Sequence, residues 1–194
     1  MEGFTRLATG GCPPIADLML ALAAEFHDVD SGAADTRLDE LARPLFGLAG
    51  GDLRLAAARL ANVLDTDPGF DADRSSVAGL WFDAALEARA GHPLVLAALT
   101  AEVGRRAGLP VHVLSAPTGW YAGLADGERL WLVDATMDGS TADPWSLRRH
   151  CTHELAFAAL LGLSERFNRA GDRHGSAKAA LLRSRLPLKG VRPR

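Results

Sequence analysis

The densest run of potential ligands and nucleophiles in the chain is His150-Cys151-Thr152-His153-Glu154. On a helix, its His-x-x-His step would place both imidazoles on one face. Zinc needs a third protein ligand that the sequence does not mark, and the helical protease pattern His-Glu-x-x-His is absent, so no metal is assigned. Cys151 as a nucleophile beside His153 is the other chemical reading, and an amphipathic helix start is the plainer one. His92 follows Gly91 at the mouth of an apolar helix, where an imidazole serves as a base, as part of an anion site with the helix amides, or simply as a cap. Asp134 ends a β-favouring run and would work as a general acid or base only if burial raised its pKa toward neutrality. Trp120 and Tyr121 must point to opposite faces of a strand, so one of them stands ready to stack on a planar ligand while the other packs in the sheet. His112 alternates with Val111 and Val113 and is expected to face solvent. Gly10-Gly11 is not followed by the lysine of a phosphate loop, so no nucleotide cofactor is expected.

The elements that must position these groups fall into two patterns. Up to Gly91 the chain predicts helices punctuated by turns. One is opened by Pro13-Pro14 and runs to Phe26, one is capped by Asp35 and divided by Pro44, one is capped by Asp52 and runs to Leu64, and one runs from Val77 to Gly91. Pro93 then suits a first helical turn, and the apolar stretch to Gly108 predicts a central, buried helix. After Pro110 the period changes. Residues 111–114, 120–124 and 129–133 predict three short antiparallel strands, the last two joined by an Asp-Gly hairpin turn at residues 126–127. Helical sequence is expected again from Asp143-Pro144 to Leu163 and from Ser176 to Leu186. The fold class is α+β in one domain: a helical part over residues 1–67, a core over 68–140 and C-terminal helices over 141–194.

The chain has 194 residues, 48% of them apolar and 23% charged, enough to bury a core without staples. A net charge of −3 argues against general nucleic-acid binding. The charge is uneven: from Arg169 onward eight basic residues face one acidic residue, so the C-terminal helices could meet an acidic protein partner. Two cysteines give no disulfide framework and fit a reducing cytoplasm. No apolar stretch is long enough to span a membrane and no basic-then-apolar leader opens the chain.

The order of a helix after Gly91, a strand after Gly108-Leu109-Pro110, and two further strands ending Trp131-Leu132-Val133-Asp134-Ala135-Thr136 resembles the core of transglutaminase-like proteins. Residues 79–93, Gly-Leu-Trp-Phe-Asp-Ala-Ala-Leu-Glu-Ala-Arg-Ala-Gly-His-Pro, and 102–110, Glu-Val-Gly-Arg-Arg-Ala-Gly-Leu-Pro, are similar to segments of the bacterial SirB-type branch. The resemblance implies a papain-like core with a helical N-terminal half, a central helix, a small antiparallel sheet and a C-terminal helical hairpin. It also implies a cysteine at the start of the central helix, a histidine on the next hairpin and an orienting aspartate. Here the aspartate position is Asp134, but the histidine position is Gly119, and residues 91–97 contain no Cys, Ser or Thr. A triad works as a unit, so thiol acyl transfer is not expected. Two readings follow. One is a binding or accessory protein, a pseudoenzyme that recognises a small metabolite, peptide or protein with His92, Trp120, Tyr121 and Asp134. The other is an enzyme of non-thiol mechanism, in amide or acyl chemistry or small-molecule biosynthesis, with Asp134 and His92 as acid and base. Neither implies a cofactor.

Overall fold

Pro93 begins the helix around which the rest of the molecule is arranged, as seen in a computed structural model that describes residues 2–65, 69–126, 129–133 and 146–187. This helix, α6 (Pro93–Arg106), is the sixth in chain order, and every residue from Pro93 to Gly104 is buried. A helix buried all round must be wrapped on most sides. The wrapping comes from α2 (Ile15–Ala24), α3 (Ser31–Ala42), α4 (Leu53–Leu64), α5 (Phe82–Ala88) and a four-stranded sheet. A first helix, α1 (Glu2–Thr9), packs on α2 through buried Phe4 and Ala8.

The sheet order is β5-β4-β3-β6, antiparallel throughout, with β3 (Val111–Ala116), β4 (Gly119–Asp126), β5 (Arg129–Val133) and β6 (Arg148–His150). The register places Val111, Val113 and Ser115 on one face with Trp120, Ala122, Leu124, Arg148 and His150. Val111, Val113, Ala122 and Leu124 on this face are at most 1% exposed and belong to the core shared with α6. Tyr121 and Leu114, on the other face, are buried but lie outside that core cluster. Gly104 is where α6 meets β3: a methyl there would overlap Val111 Cγ2 and come within 3.2 Å of Leu60 Cδ2. The chain turns at Gly108 (φ 78°) into β3, whose first residue, Val111, lies against Gly104.

A second, minimal sheet pairs β1 (Asp71–Ala72) with β2 (Ala90–Gly91) in parallel just before α6. The C-terminal pair, α7 (Thr152–Arg169) and α8 (Arg173–Arg183), packs as a hairpin across Gly171-Asp172. Several basic residues of this hairpin and just beyond it are engaged within the chain. Lys178 donates to the Glu25 carbonyl and sits over the Phe26 ring, Arg183 lies over Phe157, and Arg185 donates to Thr5. Among the described residues no helix is long and apolar enough to cross a membrane.

Several expectations need correction. The second long helix starts at Ser31, because Asp30 and not Asp35 accepts the Ala33 amide as its cap. Pro44 ends it in a 3-10 turn, as its missing N–H requires. The expected helix from Val77 to Gly91 is a 3-10 turn (Ala78–Leu80) followed by the short α5, ended by Arg89 in a left-handed conformation (φ 51°). Residues 148–150 are a fourth strand and not helix, since pairing with the edge of β3 outweighs local preference. The last helix starts at Arg173, capped by Asp172, rather than at Ser176. The residue 126–127 turn, Asp143-Pro144 and Asp134 fall wholly or partly outside the described residues.

Candidate functional site

The start of α6 is held by a polar frame. Asp73 donates its amide to the Gly91 carbonyl (2.8 Å) and His92 donates to the Gly79 carbonyl (2.7 Å), which fixes where the helix begins. His92 Nδ1 accepts the Leu94 amide at 3.2 Å, so the imidazole is the N-cap of α6, and Pro93 follows in the first turn. The tautomer this bond requires carries its proton on Nε2. Burial, followed by the positive charges of Arg166 and Arg74, pushes the His92 pKa down to about 4, with Asp73 opposing. His92 is thus a neutral ring offering an N–H, with its lone pair already committed.

Beside it, the Asp73 carboxylate accepts from the hydroxyls and amides of both Ser75 and Ser76, which hold its pKa far below the ordinary carboxylate range. Ser76 Oγ in turn accepts the Gly79 amide at 2.8 Å. Arg166 reaches over from α7 and donates to the carbonyls of Arg74 (2.8 Å), Ser75 (3.3 Å) and Gly162 (3.3 Å). Sequence reading missed this frame. The Asp-x-Ser-Ser pattern of a side-chain-closed turn was its local signal, and Arg166, in the last turn of an amphipathic helix, carried none.

Toward the C-terminal end of β3, three side chains of one sheet face meet. Ser115 Oγ lies 2.6 Å from His150 Nε2, and the Trp120 ring packs on the His150 imidazole with centroids 4.8 Å apart. His150 Nδ1 finds no hydrogen-bond partner among the described residues, with Glu154 Oε2 3.6 Å away. Of the strand pair, Trp120 is half-buried on the face that α6 covers. Tyr121 is 2% exposed on the opposite face, its hydroxyl 2.9 Å from Thr118 Oγ1. His112 is not a solvent-facing residue: it is half-buried, its Nδ1 lacks a partner among the described residues, and burial with nearby Arg149 and Arg105 lowers its pKa. Asp134 lies outside the described residues.

The dense His150–Glu154 run is split by the fold. His150 ends a strand and His153 sits in the first turn of α7, so the expected helical His-x-x-His face does not exist. The start of α7 instead meets Cys12, from the loop between α1 and α2. The Cys12, Cys151 and His153 ligand atoms lie within 4.8 Å of one another. They line a hollow of about 380 Å³ together with Thr9, Glu154 and Pro187. Burial would raise the Cys12 thiol pKa, but the Thr152 hydroxyl and the Thr152 and His153 amides bring it below its ordinary value. Burial raises that of Cys151. Both cysteines therefore stand beside a histidine, in a hollow whose described lining includes neither His92 nor Trp120.

Another hollow, of about 540 Å³, lies elsewhere again, where Phe26, Trp81 and Phe167 gather with His27 and Lys178. The three rings stack or tilt at centroid distances of 4.9–6.4 Å, and His27 Nε2 meets Asp83 at 2.7 Å. These residues come from four separate elements, and nothing in their spacing marked them in advance.

Comparison with known proteins gives the architecture its family. No curated protein matches the chain, and no solved structure does. A family model described as transglutaminase-like superfamily matches residues 21–169, from the body of α2 to the last residue of α7. That span takes in the buried central helix, the capped turn before it and the whole described sheet, and on this evidence the chain belongs to the transglutaminase-like superfamily.

Proposed function

We propose that this chain is a binding or accessory protein of the SirB-type branch, one that keeps the transglutaminase-like frame and recognises a small molecule, peptide or protein without thiol acyl transfer. The observation that carries the reading is His92. Where the family resemblance puts a nucleophile, the chain has a neutral imidazole with its lone pair bound to the Leu94 amide, and residues 91–97 supply no thiol or hydroxyl. The recognition surface in this reading is formed by the His92 Nε2–H, the Trp120 ring with Ser115 and His150, and Asp134. Tyr121 supports it by packing in the sheet. Fold alone does not establish function, so the test is chemical. Purified protein incubated with amides, thioesters and amine donors is expected to give no turnover, and native mass spectrometry of protein taken from its own host is expected to show a retained ligand lost in Trp120→Ala. Turnover abolished by Asp134→Asn would overturn the reading.

A second reading, an enzyme of non-thiol mechanism in amide or acyl chemistry, is favoured by the 2.6 Å approach of Ser115 Oγ to His150 Nε2, the spacing of a hydroxyl nucleophile and its base. Asp134 and His92 are its further acid–base candidates. It requires ester or amide turnover lost in both Ser115→Ala and Asp134→Asn, with a pH–rate profile that His92→Ala alters.

A further inference from the structure

From their juxtaposition we infer that Cys12, Cys151 and His153 form a three-ligand site for a zinc-type divalent cation, with the fourth coordination position opening into the adjoining hollow of about 380 Å³. This site is separate from the start of α6 and does not depend on the reading given above.

The donor set is that of a zinc centre: two thiolates and one imidazole balance a dication in charge and match it in softness. Zinc bound at about 2.3 Å to sulfur and about 2.0 Å to nitrogen needs donor atoms roughly 3.5–3.8 Å apart. The three donors here already lie within 4.8 Å of one another, and both cysteines are exposed, so rotation of their side chains closes the remaining gap. Three parts of the fold hold them in place. Pro13-Pro14 stiffens the entry to α2, so Cys12 is presented between two packed helices. Cys151 is the N-cap of α7, and His153 follows in its first turn.

The surroundings suit these ligands. The Thr152 hydroxyl and the Thr152 and His153 amides point at Cys12 Sγ. His153 is buried with Nε2 3.5 Å from the Leu7 carbonyl, and in the tautomer that donates Nε2–H to that carbonyl it would offer Nδ1 to the cation. A backbone carbonyl in that role is a common orienting partner of metal-bound histidine. Glu154 is not the fourth ligand, because its carboxylate accepts the Cys151 amide at 3.0 Å and pairs with Arg148. The open position therefore belongs to water or to an exchangeable outside ligand. The site would also tie the segment between α1 and α2 to the start of α7, beside the contact of His153 with the Leu7 carbonyl.

The test uses the full chain, stripped with chelator, kept reduced with a phosphine and titrated with Co²⁺ and then Zn²⁺. One Co²⁺ per chain is expected, with the intense visible bands of tetrahedral coordination and a near-ultraviolet thiolate charge-transfer band, both erased by Zn²⁺. Cys12→Ser and Cys151→Ser, at exposed positions that leave the fold intact by circular dichroism, should each weaken binding by about a hundredfold or more, since even outer-shell changes cost about 10- to 100-fold. His174→Gln, on the far helix, should change nothing. A weak octahedral cobalt spectrum without the thiolate band, an affinity unaltered in Cys12→Ser, or a Cys12–Cys151 disulfide that persists under the reductant would each overturn the assignment.

Discussion

His92 Nδ1 accepts the backbone N–H of Leu94 at 3.2 Å, so the cap of the central helix is an unprotonated imidazole. Protonation would remove the acceptor and place a cation against the positive end of a helix, beside Arg166 and Arg74. In the unfolded chain the same ring titrates near 6.5, against about 4 when folded. Between those values the unfolded state binds the extra proton, so this group costs the protein stability as pH falls from about 6.5 toward 4 and contributes nothing above that window. Urea melts at pH 7.0, 5.5 and 4.5 should show the decline, and His92→Asn, which caps without titrating, should flatten it. His112 is shifted in the same direction, so part of the slope should survive. An identical slope in wild type and His92→Asn would show that His92 is not the cap.

Ser115 and His150 make the polar end of an otherwise apolar sheet face. Removing the serine hydroxyl takes the only described partner from His150 Nε2 under the Trp120 ring. Ser115→Ala is expected to cost about 1–2 kcal/mol in chemical denaturation, the penalty for a half-buried polar atom left unpaired. A change below about 0.3 kcal/mol would mean that water replaces the hydroxyl freely, well under the usual cost of a lost hydrogen bond.

Gly104 sets how closely α6 approaches β3. Its would-be methyl overlaps Val111 on the strand and crowds Leu60 on α4, both in the buried core. Gly104→Ala should destabilise by about 1–3 kcal/mol despite the better helix propensity of alanine, because overpacking outweighs the gain. In Gly104→Ala with Val111→Ala the clash is gone, and the two changes should couple favourably by about 1 kcal/mol or more. Additive losses would place the strain elsewhere.

What could be read in the sequence and what could not divide along physical lines. The central helix was legible because its buried positions are apolar but for Thr100 and Glu102 and Pro93 punctuates its start. The strand pair of Trp120 and Tyr121 was legible as a two-faced element because side chains alternate. Arg148–His150 was not, since a three-residue edge strand is made by its partner Val113–Ser115 and not by its own pattern. The grouping of Cys12 with Cys151 and His153 was illegible for the same reason: it joins residues more than a hundred positions apart, and no local spacing encodes such a meeting. The absence of a nucleophile in residues 91–97 could be read directly, while the use of His92 as a neutral cap rests first on its burial in the folded chain and then on Arg166, contributed by a helix far along the chain.

Arg106 closes the opposite end of α6, and its environment gives the last prediction. The guanidinium donates to Asp35 (2.6 Å), Asp39 (2.7 Å) and Glu102 (3.2 Å), and these three carboxylates raise its pKa further despite the opposing effect of burial. Asp35 and Asp39 are on α3 and are well exposed, so each pair alone is worth little. Glu102 differs: its side chain is only 8% exposed, and Arg106 is the partner that compensates its charge. Arg106→Ala therefore strands a buried carboxylate and unlinks α3, and should cost about 2–4 kcal/mol, toward the range for breaking a buried pair. Arg106→Met with Glu102→Gln removes both charges while keeping the packing of the stems, and should recover more than half of that loss. If the double variant is as unstable as Arg106→Ala, the cost lies in detaching α3 rather than in the charge of Glu102, and Asp35→Asn with Asp39→Asn should then reproduce it.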